Sequence, residues 1–175
     1  MGQRRGLLIV FTGDGKGKTT AAVGLAVRAL GAGLRTVILQ FVKERESGEQ
    51  RALALVAGDR IEVLRLGSGF VRQKPPPAEA LAAARQALAL ARARLTGGQF
   101  DLVVLDEIFP ALAAGLVSER EILDLAALRP PQVYLVLTGR GAPQSVIEGA
   151  DLVTEMRCIK HPHDRGVEAQ PGIEL

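Results

Sequence analysis

The stretch Leu7-Leu8-Ile9-Val10-Phe11-Thr12-Gly13-Asp14-Gly15-Lys16-Gly17-Lys18-Thr19-Thr20 constrains this chain more than any other. A short apolar run predicts a buried strand, and it empties into three glycines within five residues, interleaved with lysines and followed by two threonines. Ala21-Ala22-Val23-Gly24-Leu25-Ala26-Val27-Arg28-Ala29-Leu30 then predicts a helix. Strand, glycine loop, lysine with hydroxyl, helix is the layout of a phosphate-binding P-loop. Glycines let the backbone curl so that successive N–H groups face one anion, and the helix N-terminus adds partial positive charge. Lys18 supplies a full charge to the phosphates, and Thr19 a hydroxyl suited to Mg²⁺. The strict pattern G-x-x-x-x-G-K-[ST] wants glycine where Thr12 stands, with Gly13 one residue late. The dinucleotide pattern G-x-G-x-x-G fails at Lys18, which occupies the third glycine position. Gly13, Asp14, Gly15, Lys16, Gly17, Lys18, Thr19 and Thr20 therefore read as a triphosphate site. The simpler alternative is a glycine-rich turn with solvated lysines.

A second chemical signal lies in Phe100-Asp101-Leu102-Val103-Val104-Leu105-Asp106-Glu107. Four apolar residues followed by two carboxylates predict a strand buried up to its acidic tip. A carboxylate there can hold Mg²⁺ (or Mn²⁺) directly or through water, opposite Thr19. Asp106 and Glu107 are both candidates for that role. A strand that merely ends in acidic residues is common, so the pairing with the glycine loop carries the inference.

Between and beyond these motifs the pattern alternates strands with helices. Strands are expected at 35–42, 61–66, 133–137 and 152–159, and helices at 49–57, 79–95 and 143–148. Ser118-Glu119-Arg120-Glu121 has capping-box spacing and opens another helix. The polar run over 43–50 is a loop at a strand's C-terminal end, where open parallel sheets collect ligands. Gly67 to Pro77, with its glycines and triple proline, is irregular; Phe70 in it reads equally as a core anchor or as a group offered to a ligand. Arg140, in Thr138-Gly139-Arg140-Gly141, stands at another strand end and is available to a phosphate or a carboxylate. Cys158, His161 and His163 are close enough in sequence to suggest a transition metal, but no fourth ligand is evident and a strand-to-loop exit explains them equally.

At 175 residues the chain reads as one domain, 1–175, with room for a proper core. No apolar run approaches the roughly 20 residues of a membrane span. The start, Met1-Gly2-Gln3-Arg4-Arg5, followed by an apolar run soon cut by the glycine loop, does not read as a signal peptide. One cysteine excludes an internal disulfide and suits a reducing cytoplasm. A net charge of +3 invites a nucleic-acid partner, as in a RecA-like module, but the charges are scattered. Aromatic content of 3% leaves few platforms for stacked bases, so neither nucleic acid nor membrane is expected as a partner.

In order along residues 6–175, the sequence resembles the cob(I)alamin (corrinoid) adenosyltransferases of the bacterial cobalamin pathway. The resemblance rests on the shifted P-loop, on Gln40-Phe41-Val42-Lys43, Gly69-Phe70, Val104-Leu105-Asp106-Glu107 and Leu137-Thr138-Gly139-Arg140. Its most specific part is Ala150-Asp151-Leu152-Val153-Thr154-Glu155-Met156 with Lys160-His161-Pro162, Gly166-Val167, Ala169-Gln170 and Gly172-Ile173-Glu174. The resemblance implies a P-loop NTPase-like (RecA-like) α/β fold, a mostly parallel sheet with helices on both faces. It implies transfer of the 5′-deoxyadenosyl group of ATP to the cobalt of a reduced corrinoid, releasing triphosphate, with the nucleotide reversed relative to ordinary P-loop enzymes. Lys18, Thr19 and Glu107 would then be the catalytic residues, with Mg²⁺ on Thr19 and Glu107 and Asp106 as the alternative ligand. It also implies a cytoplasmic homodimer and an electron-donor protein such as a flavodoxin. Phe70 and Arg72 fall where the family often carries Phe-x-Trp against the corrinoid, so arginine replaces the tryptophan, and only about five residues precede the first strand. The alternative enzyme is a P-loop ATPase or γ-phosphoryl transferase using the same loop conventionally.

Overall fold

The computed structural model describes residues 4–42, 48–67, 69, 71 and 73–173. Its elements alternate as β1 (Leu8–Thr12), α1 (Lys18–Gly31), β2 (Thr36–Gln40), α2 (Gly48–Val56), β3 (Ile61–Arg65), α3 (Ala78–Thr96) and β4 (Leu102–Asp106). There follow α4 (Ile108–Ala113), α5 (Glu119–Leu128), β5 (Tyr134–Thr138), α6 (Gln144–Gly149), β6 (Leu152–Glu155) and a 3₁₀ turn (Pro162–Arg165). The six strands form one sheet in the order β3-β2-β4-β5-β1-β6, and every pairing is parallel. The expected fold is thus found, with a sheet parallel throughout rather than mostly so.

Strand alternation divides the core between the two faces. Val10, Leu39, Val103, Leu105, Leu135 and Leu137 point to one face, packed by Ala84, Ala87 and Leu95 of α3, Phe109 of α4 and Ile122 of α5. Ile9, Ile38, Leu102, Val104 and Val136 point to the other, beneath Ala22, Ala26 and Ala29 of α1 and Leu53 of α2. The central strands β1, β2, β4 and β5 are covered on both faces, which is why they are continuous apolar runs, whereas β6 at the edge is exposed. Alanines at i, i+4 and i+7 let α1 lie close to the sheet. Burying each larger aliphatic side chain contributes roughly 1.5–3 kcal/mol.

Two elements differ from expectation. Helix α4 was not foreseen, because six residues containing Pro110 carry no helical period. Proline is tolerated there since the first helical turn has no intrahelical partner for its N–H groups. The strand expected over 152–159 stops at Glu155, because among the described residues β6 pairs with β1 alone, whose chain turns into the glycine loop after Thr12. Ser118 forms the expected capping box with Glu121.

Candidate active site

Four strands end on a buried polar residue: Thr12 on β1, Gln40 on β2, Asp106 on β4 and Thr138 on β5. Parity decides where three of them point. Gln40, Asp106 and Thr138 each follow by two residues a side chain (Ile38, Val104, Val136) that packs beneath α1 and α2. They therefore project on that face, toward the residues that open α1, and the parallel register sets Gln40 beside Asp106.

There Asp106 accepts three hydrogen bonds. Its Oδ1 takes the hydroxyls of Thr19 at 2.8 Å and Thr138 at 2.7 Å, and its Oδ2 takes the Gln40 amide at 3.1 Å. The carboxyl is fully buried. A buried polar group without partners costs roughly 1–3 kcal/mol, and more if charged, so these donors allow the acidic residue to sit inside the core. The Thr19–Asp106 contact joins the glycine loop to the acidic strand end. Glu107, assigned to the metal through the family resemblance, leaves the strand line with a φ of 60° as the N-cap of α4, and its charge acts on Lys18 in the glycine loop. Its N–H donates to the Thr138 hydroxyl at 2.9 Å. Asp106, the alternative, is the carboxylate against Thr19.

The glycine loop uses left-handed backbone at Gly13 (φ 94°) and Gly17 (φ 118°), the latter capping α1 with no side-chain hydrogen bond. Lys18 is buried, and its Nζ donates to the carbonyls of Gly13 at 2.7 Å and Gly15 at 2.6 Å. Burial pushes the Lys18 pKa below that of an ordinary lysine, and Arg140 pushes the same way; Glu107 and Asp14 oppose them in part. Asp14, Lys16, Thr20 and Arg140 are exposed on the same edge. The displaced first glycine has a local cause: Thr12 is still a ladder residue, opposite Glu155, so the turn begins one residue later.

One feature of the loop had no sequence signal. Met156, just past β6, donates its N–H to the Thr12 carbonyl at 2.8 Å and accepts the Gly15 N–H at 2.7 Å. A Cβ on Gly13 would lie 2.4 Å from the Met156 carbonyl oxygen, and one on Gly15 would lie 2.7 Å from the Arg157 carbonyl carbon. The segment after β6 is thus clasped to the loop. Gln40 and Thr138 were part of the motif resemblance without a role of their own; a polar residue closing an apolar strand was the signal available.

The remaining candidates divide. Phe70 and Arg72 lie outside the described residues, as do residues 43–47 of the polar run, while 48–50 open α2. His161 and His163 are tied into the 3₁₀ turn, where His161 Nδ1 accepts the His163 N–H at 3.2 Å, and Cys158 is exposed. Among the described residues no three His, Cys, Asp or Glu side chains gather to hold a metal.

The family model for ATP:corrinoid adenosyltransferase BtuR/CobO/CobP matches residues 4–175. The chain belongs to this family. It is 38% identical over 170 residues to the corrinoid adenosyltransferase of Escherichia coli K12, covering 97% of this chain and 86% of that one. The corrinoid adenosyltransferase of Pseudomonas aeruginosa is 37% identical over 98% of this chain and 84% of its own. Corrinoid adenosyltransferase CobA of Salmonella typhimurium is 36% identical over 98% of this chain and 87% of its own. Family membership makes ATP and a corrinoid the substrates and adenosyl transfer the reaction, and it does not favour phosphoryl transfer. Among solved structures, flagellar accessory protein FlaH from Methanocaldococcus jannaschii matches with a TM-score of 0.59 at 13% identity, covering 88% of this chain and 72% of that one. That likeness concerns the fold alone. Among the described residues no helix is long and apolar enough to cross a membrane.

Proposed function

We propose that residues 1–175 act as one domain in which Gly13 to Thr20 hold the ATP triphosphate and Lys18, Thr19 and Glu107 serve the reaction. The Thr19–Asp106 hydrogen bond is the observation that carries this reading, because it joins the two halves of a nucleotide site inside a family member. The reaction forms a bond between cobalt and C5′ while the bond from C5′ to the triphosphate oxygen breaks. Co(I) supplies the electron pair and becomes Co(III), and triphosphate leaves with the pair from the broken bond. A nucleophile this strong needs no general base. The protein's work is to hold C5′ toward cobalt and to stabilise charge gathering on the leaving group. The free amides that open α1, the Lys18 ammonium and the exposed Arg140 are suited to that charge.

The donor set fits Mg²⁺. The Thr19 hydroxyl and the carboxyls of Asp106 and Glu107 are hard oxygen ligands, and Mg²⁺ takes one or two carboxylates together with substrate phosphate. Bound there, it would neutralise phosphate charge. On this reading Thr19 and Glu107 hold the ion, with Asp106 orienting Thr19 or ligating in place of Glu107. Phe70 and Arg72 serve the corrinoid. The protein is a cytoplasmic homodimer and takes electrons from a donor such as a flavodoxin; these last assignments rest on the motif resemblance.

Incubation with ATP, Mg²⁺ and chemically reduced cobalamin tests the reading. Inorganic triphosphate should appear in step with a cobalt–carbon bond. ADP and phosphate without adenosylcorrinoid would overturn it. Glu107→Gln should impair Mg²⁺-dependent turnover without changing Tm, and an unchanged Mg²⁺ dependence would move the metal role to Asp106.

A further inference from the structure

We infer that Thr138 and Gln40 are positioning residues that set the orientation of Asp106 and, through it, of the Thr19 hydroxyl. The inference rests on the reading above, that Thr19 faces a nucleotide-bound metal. Torsion at the end of an Asp side chain is soft, so a carboxyl held by one donor alone is free to turn. Asp106 is held from three elements: Thr19 on α1, Thr138 on β5 and Gln40 on β2. Gln40, Asp106 and Thr138 are all at most 1% exposed, so water cannot replace a missing donor. Because Thr19 donates its one hydroxyl proton to Asp106, its lone pairs are left for a cation.

Thr138 does a second thing with the same oxygen. While donating to Asp106 it accepts the N–H of Glu107, the residue with a left-handed backbone. One hydroxyl therefore ties the carboxyl of Asp106 to the turn that aims Glu107. Gln40 is oriented from its other end. Its amide nitrogen is spent on Asp106, and its carbonyl oxygen accepts the side-chain amide of Gln50 at the start of α2. The amide is thereby fixed against flipping, and α2 is linked to the Thr19–Asp106 pair.

Calorimetric titration of ATP, with and without Mg²⁺, separates this role from simple core packing. Thr138→Val keeps the side chain's shape and removes the hydroxyl, Thr138→Ser restores it, and Gln40→Met removes the amide from a different strand. We expect Thr138→Val to reduce the Mg²⁺ enhancement of ATP affinity by about 10- to 100-fold, the usual effect of losing a partner behind a metal ligand. Metal-free ATP affinity should stay within about twofold, as befits a residue that acts only through the ligands. Thr138→Ser should behave as the parent protein, and Gln40→Met should move in the same direction as Thr138→Val. Parallel losses of Tm and of metal-free affinity, with the Mg²⁺ enhancement intact, would make both residues core struts and overturn the inference. Should Thr138→Val fail to fold, Gln40→Met decides alone by the same criterion. If the unmodified protein gains no ATP affinity from Mg²⁺, the site assignment falls and this inference with it. If it gains affinity and the variants gain as much, only this inference falls.

Discussion

Gly15 offers the sharpest test of the clasp between the P-loop and the segment after β6. Its φ lies outside the left-handed region, so alanine there meets no conformational penalty of that kind. The obstacle is space. The new Cβ would lie 2.7 Å from the carbonyl carbon and oxygen of Arg157 and from the carbonyl oxygen of Met156. All three are backbone atoms and cannot rotate aside. Moving them breaks the hydrogen bond from Gly15 to Met156 and strains the one from Met156 to Thr12. At a net 0.5–1.5 kcal/mol each, their loss amounts to about 1–3 kcal/mol. In a domain of this size that lowers Tm by roughly 2–12 °C. If the loop moves instead, its amides turn from the phosphates, and ATP affinity falls at least about tenfold, the worth of one charge-assisted hydrogen bond. Gly24→Ala is the internal control, since Gly24 sits within α1 with nothing within 4 Å of a new Cβ. It should gain about 0.5–1 kcal/mol by helix propensity and raise Tm. Thermal melts and ATP titrations on both variants decide the matter. A Gly15→Ala protein with unaltered Tm and ATP affinity would refute the clasp.

Other expectations concern the loop lysine and Phe70. Lys18→Ala should weaken ATP binding by roughly 10- to 100-fold, the loss of one charge-assisted contact. In the free protein, burial and Arg140 lower the Lys18 pKa, whereas bound phosphates favour its charged form. ATP affinity should therefore decline as pH rises through the free-state value, sooner than for an ordinary lysine. Arg140→Ala should shift that decline to higher pH, and an affinity flat across the alkaline range would contradict the assignment. Phe70→Ala should slow adenosylation that starts from Co(II) with a protein reductant, keep ATP affinity, and recover in part with chemically prepared Co(I). Equal losses of ATP binding and adenosylation would make Phe70 a core anchor.

Local chemistry determined much of this protein. β-branched apolar runs closed by turn or polar residues could be read as buried strands, and Ser118 with Glu121 could be read as a helix start without any partner in space. The P-loop was legible because its glycines, Lys18 and Thr19 are neighbours in sequence. What the tertiary structure decided depends on residues far apart along the chain. Thr19 and Asp106 are separated by 87 positions. Two adjacent carboxylates at a strand end look alike in sequence, and it is strand parity that sets Asp106 in hydrogen-bond reach of the Thr19 hydroxyl. Met156 contacts the loop through backbone atoms that every residue possesses, so no side chain announced the clasp. Helix α4 is too short for a period, and the end of β6 is set by where its partner β1 turns away. Periodicity and turn chemistry are properties of neighbouring residues; hydrogen bonds between distant strand ends exist only once the sheet has set its register.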